Sequence, residues 1–199
     1  MKNINLVPEF PTEGFPNAHL YSRPGFDGAG MTIEEAMLLC GLLAARKPSW
    51  ALELGCSMGF STVFLADAAK RFGSRLITVD VDPKACDVTL MRLAENDLQA
   101  EVVCMEASWF IEGLAIKPGF ALIDTDLKTR EKELWQLWPK LEADAIVAIH
   151  DASPLHPLRG DSNIMGMLEH EHQDKCSAHK FEFMYVPTPR GMAIIRKVA

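Results

Sequence analysis

The chain has no long apolar run, no paired-cysteine motif and no surplus of positive charge. Its N-terminus, MKNINLVPEFPTEGFPNAHLYSRPGF, is broken by prolines, whereas a signal peptide or a membrane span needs an uninterrupted apolar stretch. The 5 cysteines are scattered and form no C-x-x-C pair, which indicates reduced thiols rather than disulfides. The 27 acidic residues outnumber the 20 lysines and arginines, and a net charge of −7 would repel a phosphate backbone. We therefore expect a cytoplasmic protein that binds neither membranes nor nucleic acids.

The length and the hydrophobic content indicate one domain preceded by an arm. At 199 residues, 48% of them hydrophobic, the chain can bury one substantial core. Residues 1–30 are rich in Pro and Gly and show no periodicity, so they are predicted to form an N-terminal arm. The stretch TIEEAMLLCGLLAARKP then has helical spacing, with Thr32 at the N-cap and a boundary before Pro48. Residues 31–199 are therefore predicted to form the folded domain.

Beyond this helix, short apolar runs alternate with amphipathic stretches. The runs WALEL, RLITVD, EVVCM, FALID and AIVAIHD indicate buried strands, and the segments between them indicate helices. This alternation predicts a mostly parallel sheet covered on both faces. The last two extended runs, KFEFMYVP and GMAIIRKV, are separated only by TPR, which is too short for a parallel crossover. The predicted fold class is Rossmann-like α/β: a doubly wound, mostly parallel seven-stranded sheet in three α/β/α layers, with a C-terminal antiparallel hairpin.

The segment TREKELWQLWPKL is predicted to be a helix packed on this sheet. Leu134, Leu137, Trp138 and Leu141 share one helical face, which is typical of a core-facing helix. A Trp on such a face is expected to belong to the core rather than to a ligand site. The charged opposite face is expected to lie on the surface.

The loop after the first strand has the composition of a nucleoside site. In a doubly wound sheet, ligands bind beyond the carboxyl ends of the strands. Gly55 and Gly59 are expected to let the backbone approach a ligand closely, and the helix that follows offers N–H groups to an anion. Asp80 ends the second strand, where a carboxylate can accept both hydroxyls of a ribose. Ser57 and Phe60 replace the second and third glycines of the dinucleotide fingerprint G-x-G-x-x-G, which argues against a bound pyrophosphate.

Four segments in order, ALELGCSMGFST, LITVDVDP, FALIDTD and AIVAIHD, resemble successive motifs of the class I S-adenosylmethionine-dependent methyltransferases. The resemblance covers roughly residues 30 to 199. Within that superfamily the chain is most similar to small O-methyltransferases of the catechol and caffeoyl-coenzyme A type, and to bacterial relatives that include cephalosporin-hydroxylase-like proteins. The resemblance implies that the protein is an enzyme that methylates an oxygen of a small-molecule acceptor.

The resemblance also implies roles for individual residues. Glu53 would lie near the methionine amino group, Ser61 would bind the methionine carboxylate, and Asp80 would hold the ribose. The backbone of residues 55–59 would surround the methionine portion, and the segment 107–109 would flank adenine. The implied cofactor-binding residues are Glu53, Gly55, Cys56, Ser57, Gly59, Ser61, Asp80, Val81, Ala107, Ser108, Trp109 and Asp124.

The fourth and fifth predicted strands end in residues that can serve an acceptor. Asp124 follows the fourth strand, and His150 and Asp151 end the fifth, so these three residues are the predicted catalytic group. Two carboxylates suit Mg²⁺, and the imidazole suits a softer divalent ion. Metal-dependent relatives place an Asp after the fourth strand and an Asp-Asn pair after the fifth. Asp124 and Asp151 match two of these ligands and are the predicted metal ligands, whereas Ala152 replaces the Asn.

Metal dependence is left open, because two further interpretations fit the same residues. The lysine that the relatives place three residues after the first ligand is displaced here, with Leu127 at that position and Lys128 one place later. In a metal-free site His150 could act as the general base, since an imidazole with an ordinary pKa of about 6.5 can accept a proton at neutral pH. Alternatively, Asp124 and Asp151 only accept hydrogen bonds from loop amides at the strand ends.

A second cluster of ligand-type side chains precedes the C-terminal hairpin. It contains His170, His172, Cys176 and His179, and such residues at short spacing can hold zinc. The run is polar and lies far in sequence from the glycine loop, which favours a solvated helix end instead.

Two other functions remain open at the level of sequence. A protein that binds the cofactor or a related nucleoside without catalysis would fit the departures at Leu127 and Ala152. A nicotinamide-dependent oxidoreductase could use a similar sheet, but the glycine spacing and the terminal hairpin argue against it. Whether the chain forms a homodimer is also left open.

Overall fold

The computed structural model describes residues 31–153, 163–174, 177–188 and 190–198. The arm predicted for residues 1–30 lies outside them. The described residues form a seven-stranded sheet with helices on both of its faces.

The sheet is mixed, with a parallel part and an antiparallel edge. Its strands are β1 (Trp50–Leu54), β2 (Arg75–Asp80), β3 (Glu101–Cys104), β4 (Phe120–Ile123), β5 (Ile146–His150), β6 (Phe181–Val186) and β7 (Met192–Lys197). Their order across the sheet is β3-β2-β1-β4-β5-β7-β6. Strands β1 to β5 run parallel to one another, and β7 runs antiparallel to both β5 and β6. The predicted doubly wound sheet with a C-terminal antiparallel hairpin is confirmed.

The helices begin at the local signals that the sequence carries. They are α1 (Ile33–Arg46), α2 (Phe60–Phe72), α3 (Pro83–Glu95), α4 (Ala107–Gly113), α5 (Arg130–Leu137) and α6 (Ile164–Gln173). Thr32 is the N-cap of α1 and forms a capping box with Glu35, and Asp82 caps α3 ahead of Pro83. Across the described ranges, no helix has both the length and the apolar character that crossing a membrane requires.

Two hydrophobic cores lie on opposite faces of the sheet. One contains apolar residues of α1, α2 and α3, and the other contains those of α4, α5 and α6. Within β1, Ala51 faces the first core, whereas Leu52 and Leu54 face the second. Burial on both faces explains why the parallel strands are almost continuously apolar. The predicted three-layer arrangement is confirmed.

Helix α5 confirms one expectation and corrects another. Leu134, Leu137 and Trp138 are buried in the core, as their spacing predicts. The charged face of this helix is not ordinary surface, however, because Arg130 and Glu133 are only 3% and 2% exposed. Both side chains point toward the carboxyl ends of the strands, where they bond to groups of the loop that follows β4.

The strand order reverses at β1, which lies between β2 and β4. Because β1, β2, β4 and β5 are parallel, their carboxyl ends lie along one edge of the sheet. The loops that follow them therefore meet there, and such a reversal is where open α/β sheets bind ligands. Asp80, Asp124 and His150 all lie at this edge.

Candidate functional site

A cavity opens at the carboxyl ends of β1, β2 and β4. Its volume is about 360 Å³. It brings together six of the predicted cofactor-binding residues: Gly55, Ser57, Asp80, Val81, Ala107 and Asp124. The rest of its lining, absent from that predicted set, is Val79, Met105, Glu106, Thr125, Asp126, Thr129 and Glu133. A larger hollow of about 580 Å³ at the amino ends of β1, β2 and β3 contains none of the predicted site residues.

The Asp80 carboxylate is fixed at the wall of this cavity by two backbone amides. Its Oδ2 accepts a hydrogen bond from the N–H of Ser57 at 2.8 Å, and its Oδ1 accepts one from the N–H of Asp82 at 2.9 Å. An ionised carboxylate offers about four acceptor positions, so further positions remain for a ligand. Asp80 is therefore held in place and still able to accept hydrogen bonds from the hydroxyls of a sugar.

Apolar side chains form the wall of the cavity beyond the end of β2. Val81 and Met105 are 68% and 41% exposed, and both line the cavity together with Ala107. Exposed apolar surface inside a concave site suits a flat, weakly polar ligand group. The resemblance implied that Ser108 and Trp109 flank adenine, but neither residue lines the cavity. Ser108 is buried, and Trp109 is 69% exposed on the outer surface.

The two glycines of the first loop are required by packing inside the protein. Gly55 has a φ of +90°, and a Cβ there would overlap the carbonyl oxygen of Asp124. Gly59 has a φ of +74°, and a Cβ there would lie 3.0 Å from the Cα of Thr89 on α3. Neighbouring backbone thus already excludes a side chain at both positions, and the close approach to a ligand stays a prediction. Gly55 also lines the cavity, whereas Gly59 does not.

The residues between these glycines present different groups. Ser57 is exposed, has a left-handed φ of 46° and lines the cavity. Cys56 is buried, and its Sγ accepts a hydrogen bond from the Thr89 hydroxyl at 3.3 Å. Burial raises the pKa of the Cys56 thiol to about 12, so it stays protonated. Cys56 is therefore a neutral packing group outside the cavity lining.

Glu53 lies beneath the loop, fully buried at 0% exposure. Its Oε1 accepts a hydrogen bond from the Ser61 hydroxyl at 2.5 Å, and its Oε2 accepts hydrogen bonds from the Thr62 and Thr78 hydroxyls, both at 2.6 Å. Burial raises the pKa of Glu53 to about 7, against these three hydroxyls, which lower it. The hydroxyl of Ser61 is thus committed to Glu53, and neither residue lines the cavity.

A row of polar side chains lines the cavity on the side of α5. Thr125, Thr129 and Glu133 follow one another at intervals of four, with Thr125 in the loop after β4, Thr129 at the N-cap of α5 and Glu133 within that helix. The Thr129 hydroxyl lies 3.3 Å from that of Thr125, which donates to Glu133. Burial raises the pKa of Glu133. The four-residue spacing is the sequence signal that could have identified this row.

The predicted catalytic group, Asp124, His150 and Asp151, is gathered at one point. Each residue offers one possible ligand atom, and these atoms all lie within 4.8 Å of one another. The Nδ1 of His150 is 3.2 Å from Oδ1 of Asp124 and 3.4 Å from Oδ1 of Asp151. Asp124 lines the cavity and keeps 21% of its side chain exposed, whereas the other two residues are buried.

The His150 ring is enclosed by carboxylates. On the side away from Asp124, its Nε2 is 3.2 Å from Oε2 of Glu35, which is itself fully buried on α1. Burial acts to lower the pKa of His150, but the hydrogen bonds with Asp124 and Glu35 and the nearby charge of Asp151 raise it to about 9. An imidazolium with 1% exposure cannot take a proton from a ligand at neutral pH. Both ring nitrogens lie beside carboxylates and His150 does not line the cavity, so its surroundings favour a buried cation that holds its carboxylate neighbours over the predicted general base.

Two arginines fill the space among these groups. The Nη2 of Arg130 is 3.0 Å from Oδ1 of Asp124 and 3.3 Å from Oδ2 of Asp151. Arg190 donates from Nη2 to Oδ2 of Asp151 at 2.9 Å and from Nε to its Oδ1. Burial raises the pKa of Asp151, but the Arg190 hydrogen bonds and the charges of His150 and Arg130 together lower it to about 2. Three of the four carboxylate oxygens of Asp124 and Asp151 already accept hydrogen bonds from guanidinium groups, and Arg130 lies between the two side chains. The residues as placed therefore do not fit a divalent cation.

The second cluster of ligand-type side chains is only partly within the described residues, because Cys176 lies outside them. The ring of His179 stacks on Trp135 with centroids 4.2 Å apart, and its Nδ1 is 2.7 Å from Oε1 of Glu171. His172 is exposed at the end of α6. The exposed His172 fits the solvated helix end favoured by the sequence, whereas His179 lies beyond α6 and is packed on Trp135. Zinc binding by this cluster stays a prediction.

Comparison with known proteins relates this chain to methyltransferases. A family model for a methyltransferase domain matches residues 52–152, which is about half of the chain and runs from β1 to just beyond β5. No curated protein sequence gives a significant match.

Several solved structures share the fold at low sequence identity. The O-methyltransferase TomG from Streptomyces achromogenes, in complex with SAM, is 19% identical over 85% of this chain and 82% of that chain, with a TM-score of 0.67. The SAH-bound methyltransferase PaMTH1 from Podospora anserina is 13% identical over 93% of this chain and 88% of that chain, with a TM-score of 0.74. An O-methyltransferase from Bacillus cereus in complex with SAH is 15% identical over 97% of this chain and 93% of that chain, with a TM-score of 0.69.

Proposed function

The chain belongs to the methyltransferase-domain family, and from that premise we propose that it transfers the methyl group of S-adenosylmethionine to an oxygen of a small-molecule acceptor. This membership confirms the family predicted from the four sequence segments. The observation that carries the proposal is the cavity at the ends of β1, β2 and β4, where the fixed Asp80 carboxylate stands beside the apolar Val81 and Met105. A carboxylate next to an apolar wall is the pairing that a nucleoside requires.

Each part of the cofactor has a counterpart in the chain. Asp80 would accept hydrogen bonds from the ribose hydroxyls, and the cavity-lining side chains of Val81, Met105 and Ala107 would pack against the adenine ring. Gly55 and Ser57, which line the same cavity, would hold the methionine portion. When bound, the cofactor supplies an electrophilic methyl group on a positively charged sulfur.

Asp124 is the member of the acid cluster that faces the ligands. Its Oδ1 accepts hydrogen bonds from Arg130 at 3.0 Å and from His150 at 3.2 Å, whereas no described residue donates to its Oδ2. Because Asp124 lines the cavity, Oδ2 can accept a hydrogen bond from the acceptor hydroxyl and orient its oxygen. His150 and Asp151 touch neither ligand and keep Asp124 in position. Asp124 is thus the catalytic residue of the proposal, and His150 and Asp151 are positioning residues.

The test is calorimetric binding of S-adenosylhomocysteine, the demethylated product, to the wild type and two variants. Asp80→Asn should weaken binding roughly 10- to 100-fold, because hydrogen bonds to a charged group contribute about 1.5–3 kcal/mol. Asp82→Asn is the matched control. It removes a carboxylate two positions away that caps α3 and does not line the cavity, and Asn is an equally good cap. Its affinity should match that of the wild type.

The outcomes separate the alternatives. A wild type that does not bind S-adenosylhomocysteine would refute the proposal, and equal weakening in both variants would show that the loop rather than the ribose contact was disturbed. Thermal denaturation of each variant distinguishes a lost contact from a lost fold. Tight binding without transfer of labelled methyl groups to catechols, hydroxylated acids or sugars would support the non-catalytic binder instead.

The remaining expectations belong to the same proposal. A cytoplasmic location and the lack of a nucleic-acid partner rest on the sequence and its net charge of −7. The identity of the small-molecule acceptor and a homodimeric state stay open within it.

A further inference from the structure

The cluster of Asp124, His150 and Asp151 has the composition of a divalent-cation site. Its three ligand atoms lie within 4.8 Å of one another. Carboxylates and imidazole are ordinary ligands of Mg²⁺, Mn²⁺ and Zn²⁺. What the cluster lacks is room for an ion, because two guanidinium groups are bound in it.

Arg130 extends from the first residue of α5 into the middle of this cluster and is 3% exposed. Its Nη2 is 3.0 Å from Asp124 Oδ1 and 3.3 Å from Asp151 Oδ2. The same side chain donates from Nε to the carbonyl oxygen of Thr125 at 2.9 Å and from Nη1 to that of His150. It therefore joins the ends of β4 and β5 as well as the two carboxylates. An ion at this point would have to displace a buried guanidinium, which would deprive the carbonyl oxygens of Thr125 and His150 of the Arg130 N–H groups that they accept.

Arg190 covers the remaining side of Asp151. It lies between β6 and β7 and donates from Nη2 to Asp151 Oδ2 at 2.9 Å and from Nε to Oδ1. Two N–H groups facing the two oxygens of one carboxylate form the bidentate geometry that makes arginine pairs strong. Both oxygens of Asp151 and Oδ1 of Asp124 thus already accept hydrogen bonds from arginine.

Charge leads to the same conclusion as geometry. The two carboxylates of Asp124 and Asp151 are balanced by the two guanidinium groups of Arg130 and Arg190, and the adjoining buried pair of His150 and Glu35 adds one charge of each sign. A divalent cation would add two positive charges to a buried site that is already neutral. We propose that Arg130 takes the place of a divalent cation and that the acceptor site of this chain works without a metal. The catalytic meaning of this inference rests on the proposed function, whereas its test by metal binding does not.

The test is a titration of the full chain with Mn²⁺, in which electron paramagnetic resonance reports the free ion. The wild type should bind no Mn²⁺ at concentrations up to the millimolar range. Its affinity for S-adenosylhomocysteine should be the same in EDTA and in Mg²⁺. Arg130→Ala empties the space among the carboxylates, so it should bind Mn²⁺ at least about tenfold more tightly than the wild type. Its melting temperature, lowered by the loss of the arginine, should rise when Mn²⁺ is added.

The matched control is Arg71→Ala. Arg71 also pairs with a buried carboxylate, that of Asp67 at 2.8 Å on α2, and among the described residues Asp67 belongs to no group of three possible metal ligands. Removing this arginine should create no Mn²⁺ site. The comparison therefore separates a specific Mn²⁺ site, created when Arg130 is removed, from weak Mn²⁺ binding to any carboxylate that has lost its arginine.

Two results would overturn the inference. One is a stoichiometric Mn²⁺ site in the wild type that Asp124→Asn abolishes, and the other is a folded Arg130→Ala that binds no more Mn²⁺ than Arg71→Ala. If Arg130→Ala does not fold, two wild-type measurements decide whether the site needs a metal. They are the Mn²⁺ titration and the affinity for S-adenosylhomocysteine in EDTA. Failure to bind S-adenosylhomocysteine in both EDTA and Mg²⁺ would count against the proposed function alone, and the Mn²⁺ titration would still judge this inference.

Discussion

At the scale of single residues, Asp80 and Arg130 reach the carboxyl edge of the sheet from different parts of the fold. Asp80 and Gly55 follow apolar strands and line the cavity, because the end of a buried strand reaches the ligand edge of such a sheet. Arg130 stands in the run TREKE, which looks like the charged surface of a helix. Its burial follows from acceptors at the ends of β4 and β5, and no local pattern in the sequence encodes these contacts.

The buried Glu53 should make the stability of the ligand-free protein depend on pH. Its pKa is raised from 4.5 to about 7, so between these values the unfolded chain releases the proton first. The free energy of unfolding should therefore fall as the pH rises through this window and level off above it. The fall in the free energy of unfolding that Glu53 causes across this window is on the order of 3 kcal/mol. Urea denaturation at a series of pH values, compared between the wild type and Glu53→Gln, measures it as a difference between the two curves.

The variant Glu34→Gln, on the exposed surface of α1, controls for the loss of one carboxyl group. The raised pKa of His150 lowers the stability of all three proteins alike as the pH rises from 6.5 toward 9, so it cancels in the comparison. Parallel curves for the wild type and Glu53→Gln would contradict the prediction.

At the scale of elements, helices and strands were predictable where several local signals agree. Thr32 and Pro83 mark helix starts by chemistry that acts within one turn, and the observed helices begin there. Helix α6 was recognised only at its polar end, because its first turns, IMGML, combine a glycine with flexible methionines and lack a clear period. A weak apolar period thus hides a helix even where Asn163 caps it.

The capping box of α1 should contribute measurably to stability. The Thr32 hydroxyl accepts the N–H of Glu35 at 3.3 Å, and the Glu35 carboxylate accepts the N–H of Thr32 at 2.7 Å. Thr32→Ala should lower the free energy of unfolding by about 0.5–2 kcal/mol, whereas Thr32→Ser keeps the hydroxyl and should stay close to the wild type. Thermal and chemical denaturation of the three proteins check this. Equal stability of the alanine and serine variants would show that the Thr32 hydroxyl contributes nothing.

At the scale of the whole molecule, the fold was predictable because alternation of strands and helices permits few topologies. Five apolar runs joined by helical segments require a parallel sheet, and a three-residue link requires an antiparallel pair at the end. The closure of the acceptor site was beyond prediction, since it joins α1, α5, the end of β5 and the loop between β6 and β7. Such a meeting of four distant elements exists only in three dimensions.

The whole domain should be stabilised by the product of the proposed cofactor. At a concentration of S-adenosylhomocysteine about 100 times its Kd, linkage gives about 2.7 kcal/mol, which raises the melting temperature of a domain of this size by roughly 5–10 °C. The Asp80→Asn variant should show a smaller rise at the same concentration. NADH serves as the control ligand and should produce no rise. A larger rise with NADH would favour the oxidoreductase instead.

The guanidinium fixed between the ends of β4 and β5 has a consequence for selectivity. A metal with open coordination positions recognises a catechol by chelating its two adjacent oxygens. Arg130 directs its hydrogen bonds to protein acceptors, so it cannot bind two neighbouring hydroxyls of an acceptor in the same way. The shape of the site then determines which acceptors are methylated. An acceptor with a single alcohol or phenol should be as good a substrate as one with two adjacent hydroxyls.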